Sequence, residues 1–404
     1  MRASAFVYPW DVVGDPDAPR RIAGLGVQQV TLASAYHSTR ALTPRHPRQR
    51  IVTARHTAVL YPPDPQRWSG RSLRPYPQTW VPATDAYGEA AAALSAAGLS
   101  VHSWVVLAHN SRLGEEFPRT SVRNAYGDRY PWAPCIAQPE VRAYAVDLAV
   151  EAAVRPGTDG TELESCGWYG VGHLHAHDKI GGVPLGGAAQ YLMSLCFCRT
   201  CRDGYAGLGQ DPDALQSAVR TALVPVWSGE REPGPADRAA EWAEVEKLLG
   251  VDLAGATLSW RAMVARHFQR EIVSSVRAGS GPGFQILLHA DPGPHRTGAN
   301  VGVDTEDVLS HADGLVLPCA GGAAERAAVL SPFAPHRRPD TVLAANFPVV
   351  AGMGGSPRTL AADVAHAAAL GATELRLYHA GLASGADLEA VRSALGALRS
   401  RTDL

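Results

Sequence analysis

The run DGTELES carries two glutamates of the same parity, Glu162 and Glu164. A carboxyl group at the lip of a pocket can give or take a proton near neutral pH, the central step of glycosidic-bond hydrolysis. Other short apolar runs end in side chains suited to the same work: Trp10 and Asp11; Tyr36, His37 and Arg40; His109 and Asn110, with Arg112 close behind; His289 and Asp291; Asn346; Tyr378 and His379. Flat apolar sugar faces stack on rings, and hydroxyls need directional donors and acceptors. Aromatic platforms such as Trp10, Trp104 and Trp168, set beside imidazoles, amides and carboxylates, therefore describe a carbohydrate site. Asp11 and Asp291 are the candidates for a second carboxylate beside Glu164. A lone histidine in such a place often only fills or caps the structure; the recurrence at the end of most runs is what points to chemistry.

Two further motifs have metal-ligand character. HLHAHDK places His173, His175 and His177 at alternating positions, followed by Asp178 and Lys179. In an extended loop alternate residues share a face, so the three imidazoles can converge on a divalent ion. They can equally bind sugar hydroxyls, supply a general acid, or stand in solvent. CFCRTC crowds three thiols together, Cys196, Cys198 and Cys201. Tetrahedral Zn²⁺ takes four ligands, and the fourth is open between Cys135, Cys166 and Cys319; the bland alternative is a set of buried free thiols.

The elements that must position these groups alternate along the chain. Strand-like runs cover 4–10, 27–36, 99–109, 159–165, 283–290, 314–320, 341–350 and 373–380. Between them lie helical stretches such as DAYGEAAAALSAAG and PEVRAYAVDLAVEAAV, and GADLEAVRSALGALRS comes after the last. Eight strands with helical partners predict a (β/α)₈ TIM barrel with long βα loops, its site at the C-terminal ends of the strands. An open doubly wound sheet would carry a Gly-rich turn after its first strand, and YPWDVVGD offers none. The expectation is one barrel domain over 1–404, with a zinc-binding and helical insertion around 166–280 after strand four. Glu162 and Glu164 would both face the barrel axis, the deeper Glu162 needing an Arg or Lys partner and Glu164 reaching ligand at the rim.

Composition narrows the partners. A net charge of -2 with 19% charged residues gives no electrostatic reason to expect nucleic acid or an anionic membrane. No stretch approaches the roughly 20 apolar residues of a membrane span. MRASAFVYPWD has no basic segment followed by an apolar one, so a cytoplasmic protein is expected, and six cysteines in 404 residues do not make a disulfide scaffold.

The stretch YGDRYPWAPCIAQPEVRAYAVDLA, then a fourth-strand glutamate, then CFCRTC, resembles the order found in family 42 β-galactosidases. The run from YHSTR through LESCGWYG and HLHAHDK to CFCRTC resembles a group of glycoside-hydrolase-like actinobacterial barrels. The family resemblance implies that Glu164 is the acid/base and that Cys135 joins Cys196, Cys198 and Cys201 around a structural zinc, with no organic cofactor. The chain departs from the family pattern at Leu163, where the family has Asn, and at Asn346 in strand seven, where the family has its nucleophilic glutamate; Glu374 belongs to the floor of strand eight.

These features support three readings. The first is a glycosidase acting on a small carbohydrate or glycoside, with Glu164 as acid/base, Asp291 or Asp11 as second carboxylate, and the other strand-end residues orienting hydroxyls. The second is a metal-dependent lyase or isomerase on a sugar or cyclitol, using the HLHAHDK loop. The third is a carbohydrate-binding barrel without catalysis, to which the missing strand-seven glutamate points.

Overall fold

The computed structural model describes residues 1–173, 178–229 and 237–402. Eight parallel strands form a ring: β1 (Arg2–Val7), β2 (Gln29–Tyr36), β3 (Ser100–Val106), β4 (Gly160–Glu164), β5 (Gln285–Asp291), β6 (Gly314–Pro318), β7 (Val342–Pro348) and β8 (Glu374–Tyr378). The ring closes because β1 pairs in parallel with both β2 and β8. A helix follows each strand: α1 (Ala18–Ala23), α2 (Ala86–Ala96), α3 (Pro139–Ala153), α4 (Val251–Gly279), α5 (Thr305–His311), α6 (Ala323–Leu330), α7 (Leu360–Ala369) and α8 (Gly385–Thr402). This is a (β/α)₈ barrel. All eight residues of β2 are buried, as expected of a strand covered by helices on one side and barrel filling on the other.

The strands begin and stop within a few residues of the apolar runs, and the departures have local causes. The first run ends early, at Val7, because Pro9 has no N–H to donate to a ladder. Pro9–Asp11 instead forms one 3₁₀ turn, with the Tyr8 amide donating to the Asp11 carboxylate at 2.8 Å. The loops after β2 and β3 each carry an antiparallel hairpin, Thr39–Leu42 with Ile51–Ala54 and Ser121–Arg123 with Arg129–Pro134. Ahead of α4, the long excursion after β4 contains the helices Gly187–Met193, Arg199–Gly207, Pro212–Trp227 and Arg238–Leu249. Among the described residues no helix is long and apolar enough to cross a membrane.

The barrel interior is divided. One side is filled by Leu287, Val316, Val342 and Ala344, which pack as an apolar group of their own. The other side is ionic. Glu162 is 0% exposed and accepts from Arg376 Nε at 2.6 Å and from Thr31 at 3.0 Å. The guanidinium also donates from Nη1 to Glu374 at 2.8 Å. His102 and His289 each come within 3.7 Å of the Glu162 carboxylate. Burial pushes that carboxyl up, but Arg376 and the two imidazoles outweigh it and hold Glu162 well below the ordinary carboxylate range. The sequence reading that Glu162 lies deep and needs a cationic partner is met by Arg376. Gly160 makes room for this arrangement: a Cβ there would lie 2.6 Å from His102 Nε2 and 2.7 Å from the Gln285 carbonyl.

Arg376→Met strands the Glu162 charge in the barrel and should lower unfolding free energy by about 3–5 kcal/mol, whereas Glu162→Gln leaves Arg376 paired with Glu374 and should cost less. The double variant should lose less than the sum of the two. Urea denaturation monitored by tryptophan fluorescence measures both.

Candidate active site

β4 aims Glu164 up the barrel axis, two residues above Glu162. Glu164 is 8% exposed, and its Oε2 accepts a hydrogen bond from Trp104 Nε1 at 2.8 Å. Trp104 itself is fixed by an edge contact with Phe6, with ring centroids 4.8 Å apart. Tyr8, Tyr36 and Tyr378 close round the same carboxylate. The Tyr8 hydroxyl donates to that of Tyr36 at 3.1 Å, and Tyr36 packs edge-on to Trp104 at 4.6 Å. Burial raises all three phenols, Tyr378 to about 12, and the Glu164 charge raises each further. They therefore stay protonated and act as donors in a site of low dielectric.

The predicted residues fall into three groups. The first gathers round the mouth. Tyr36 stacks on His37 at 4.2 Å, His37 lies 4.7 Å from His109, and His173 is 5.6 Å from His109 between ring centroids. Trp10 and His379 both stack on Tyr8, at 4.4 and 4.2 Å. His379 is fully buried with neither ring nitrogen bonded among the described residues, and burial, then Arg45, lowers its pKa to about 3. Asn346 shares the inward parity of Val342 and Ala344, and its Oδ1 is buried without a partner among the described residues.

The second group is engaged elsewhere. Asn110 caps the helix Ser111–Glu116 by accepting from the Leu113 amide. Arg112 pairs with Glu116, and Trp168 donates to the Arg261 carbonyl. His289 faces Glu162 rather than the rim. Both oxygens of Asp291 are taken by Arg238, at 2.6 and 2.5 Å, and Gly293 N adds a third bond at 2.8 Å. Asp11 lines a cavity with Arg21, Arg45, Leu388 and Gly381, beside the ends of β1 and β8. A Cβ on Gly381 would collide with its carboxylate, so only glycine fits there. The third group is exposed: Arg40 on its hairpin, and Lys179 after the histidine run. His175 and His177 lie outside the described residues.

Tyr8 and Tyr169 belong to the mouth and were not singled out from sequence. Tyr169 stacks on His109 at 4.3 Å, and its hydroxyl reaches the His173 carbonyl at 3.1 Å. For Tyr8 the signal was its shared parity with Phe6; for Tyr169 it was its nearness to Glu164 in the chain.

Away from the mouth, Cys135, Cys196, Cys198 and Cys201 come together, with all four sulfurs within 4.8 Å of one another and buried. Cys135 Sγ is 3.7 Å from both Cys198 and Cys201 Sγ. Zn–S bonds of about 2.3 Å in a tetrahedron give sulfur–sulfur edges of about 3.8 Å, so this donor set fits a metal ion. Backbone amides of Arg123 and Cys198 point at Cys196 Sγ, each at 3.5 Å. Cys166 and Cys319 stand outside the group, buried and with their thiols raised by burial.

No family model matches the sequence, and no curated protein matches it. Solved structures do. The PgaB (BpsB) glycoside hydrolase domain from Bordetella bronchiseptica is similar at a TM-score of 0.58 and 14% identity, covering 98% of this chain and 99% of that one. The α-L-fucosidase isoenzyme 2 from Paenibacillus thiaminolyticus is similar at a TM-score of 0.57 and 13% identity, covering 100% of this chain and 50% of that one. A catalytic mutant of a GH42 β-galactosidase from G. stearothermophilus is similar at 0.55 and 11%, covering 100% and 57%. The chain thus spans about half the length of the fucosidase and the galactosidase. The likeness is one of fold: a closed barrel distantly similar to that of GH42 β-galactosidases.

Burial, opposed by the Tyr8 amide and Arg45, raises the Asp11 carboxyl to about 7. An acid raised above its unfolded value near 3.8 makes the folded state lose stability as pH climbs from about 4 to 7, and the loss then stays constant. Asp11→Asn lacks that loss. Its melting temperature should therefore gain on wild type through this window and run parallel to it above, as differential scanning calorimetry would record.

Proposed function

We propose that the chain, a barrel sharing its fold with glycoside hydrolases, is itself a glycoside hydrolase acting on a small carbohydrate, with Glu164 as its acid/base. The observation that carries this reading is the placement of Glu164: a carboxylate at the end of β4, oriented by Trp104 and enclosed by protonated tyrosines. In that enclosure Glu164 donates a proton to the leaving glycosidic oxygen or takes one from water. Tyr36 and Asn346 would supply hydroxyl partners, with Trp10 and His379 packed behind Tyr8. Asp11 and Asp291 remain the candidates for the second carboxylate. Asp11 is favoured, since its Oδ1 is unpartnered among the described residues whereas both oxygens of Asp291 are engaged.

The four cysteines would hold a structural zinc. Four thiolates close the coordination sphere, so such an ion ties the loop after β3, which carries Cys135, to the excursion after β4 and contributes folding energy rather than chemistry.

Two experiments test these statements. With a panel of nitrophenyl glycosides, Glu164→Gln should lower turnover by roughly 10²–10⁴-fold while leaving the melting temperature near wild type. Near-normal activity would remove Glu164 from the mechanism, and tight glycoside binding with no turnover by wild type would favour a binding barrel. Elemental analysis of Cys198→Ser should find one fewer zinc per chain and a lowered melting temperature; unchanged metal and stability would leave the cysteines as free thiols.

A further inference from the structure

Three histidines near the mouth come from three different elements. His37 follows β2, His109 lies just past β3, and His173 belongs to the loop after β4. One ligating nitrogen from each can be chosen so that all lie within 4.8 Å of one another. Nothing in sugar recognition requires three imidazoles to converge on one point, and three adjacent rings that repel when protonated are costly to hold without a shared partner.

Two of the three rings are oriented by hydrogen-bond partners, as metal-ligating histidines are. His37 Nδ1 is 2.8 Å from the Ser38 carbonyl, which fixes that nitrogen as the N–H and leaves Nε2 as a lone-pair donor. The Tyr169 hydroxyl lies 3.4 Å from His173 Nε2, and the Tyr169 ring stacks on His109. His109 is buried, and its ring makes no hydrogen bond among the described residues. Burial lowers His37 and His109, and the neighbouring imidazoles lower His109 further, so both rings are neutral and able to ligate. The negative charge of Glu164 bears on His37 from the barrel side.

We propose that His37, His109 and His173 form a second metal site, for a divalent transition cation of the zinc class. Three imidazole donors select Zn²⁺, Co²⁺, Ni²⁺ or Cu²⁺ over Mg²⁺ and Ca²⁺. Bonds of about 2.0–2.1 Å to one tetrahedral ion bring the nitrogens to about 3.3 Å apart, a closure of roughly 1–1.5 Å at most from the positions seen. Unlike the four cysteines, three histidines leave a coordination position open, the pattern of a site that takes water or a substrate atom. Glu164 is near enough for its charge to act on His37, so the site adjoins the proposed acid. Resting on the glycosidase reading, the ligand it accepts is a hydroxyl of the bound sugar, so the ion would position substrate beside the acid.

The test uses the full chain, stripped with a mild chelator and titrated with Zn²⁺, with metal content also read by mass spectrometry. Wild type should take two equivalents, one lost in Cys198→Ser and the other in His109→Phe, which keeps the ring stack on Tyr169. His173→Ala, at an exposed position whose loss cannot unfold the barrel, should weaken the second equivalent by about 100-fold or more. A single equivalent in wild type, or a second one that survives both histidine variants, overturns the site. Glycoside turnover is scored separately: turnover with one equivalent would sink the site and spare the glycosidase, while two equivalents without turnover would do the reverse.

Discussion

The Glu162–Arg376 pair is the constraint from which the site derives. An ion pair sealed inside a barrel stabilises little by itself, because both charges have left water, but every alternative arrangement leaves one of them alone. Glu162 is on β4 and Arg376 on β8, which face each other across the ring, so the pair spans the barrel and fixes β4 in rotation and in height. Glu164 is two residues on and shares that rotation. Once Glu162 is pinned, Glu164 has no choice but to rise along the axis to the mouth.

Above that pair the barrel changes character. Phe6 touches Trp104, His289 and Tyr378 at 4.8–5.8 Å and forms an apolar lid over the ionic layer. The tyrosines around Glu164 stand on that lid. The Tyr8 hydroxyl donates to that of Tyr36, and burial is the largest cause of the upward shift of both phenols. A carboxylate in such surroundings interacts strongly with any positive charge developing beside it, whether on a sugar ring or on an ion.

The eight strands were legible because each is an apolar run of the right length, and strand-end chemistry came with the barrel geometry. Parity alone placed Glu162 inside and called for a cation, although nothing local named Arg376, some 214 residues away. The same distance problem hid the fate of Asp291. Its partner Arg238 sits on a helix 53 residues earlier in the chain, and a surface-like arginine in a polar stretch carries no sign of where it will reach. Asn110 read as a strand-end amide and is a helix cap, since capping depends on the turn of helix that comes next. The convergence of His37 and His109 with His173 could not be seen from the HLHAHDK spacing, which suggested a grouping within the loop rather than one gathered from the segments after three strands. Cys135 was recoverable only through the family 42 resemblance. Arg261, fully buried over the Trp168 and Tyr191 rings with no hydrogen bond from its side chain among the described residues, was not anticipated either. Burial lowers its pKa, opposed by Tyr191 and Tyr205 and then by the Cys201 and Cys196 sulfurs.

The end of β7 constrains the proposed chemistry. The family 42 resemblance would put a nucleophilic glutamate where Asn346 stands, and an amide can orient a hydroxyl but cannot attack an anomeric carbon. A retaining pair also needs carboxyl groups about 5 Å apart, whereas an inverting pair leaves room for water at about 6.5–9.5 Å. In the order of the ring, Asp11 comes after β1 and lies against Gly381 after β8, on the far side from β4. In the proposed reading, a Glu164–Asp11 pair would draw its two carboxylates from non-adjacent strands of the ring. In that proposal Asp11, which burial raises to about 7, would be the group that takes a proton from water.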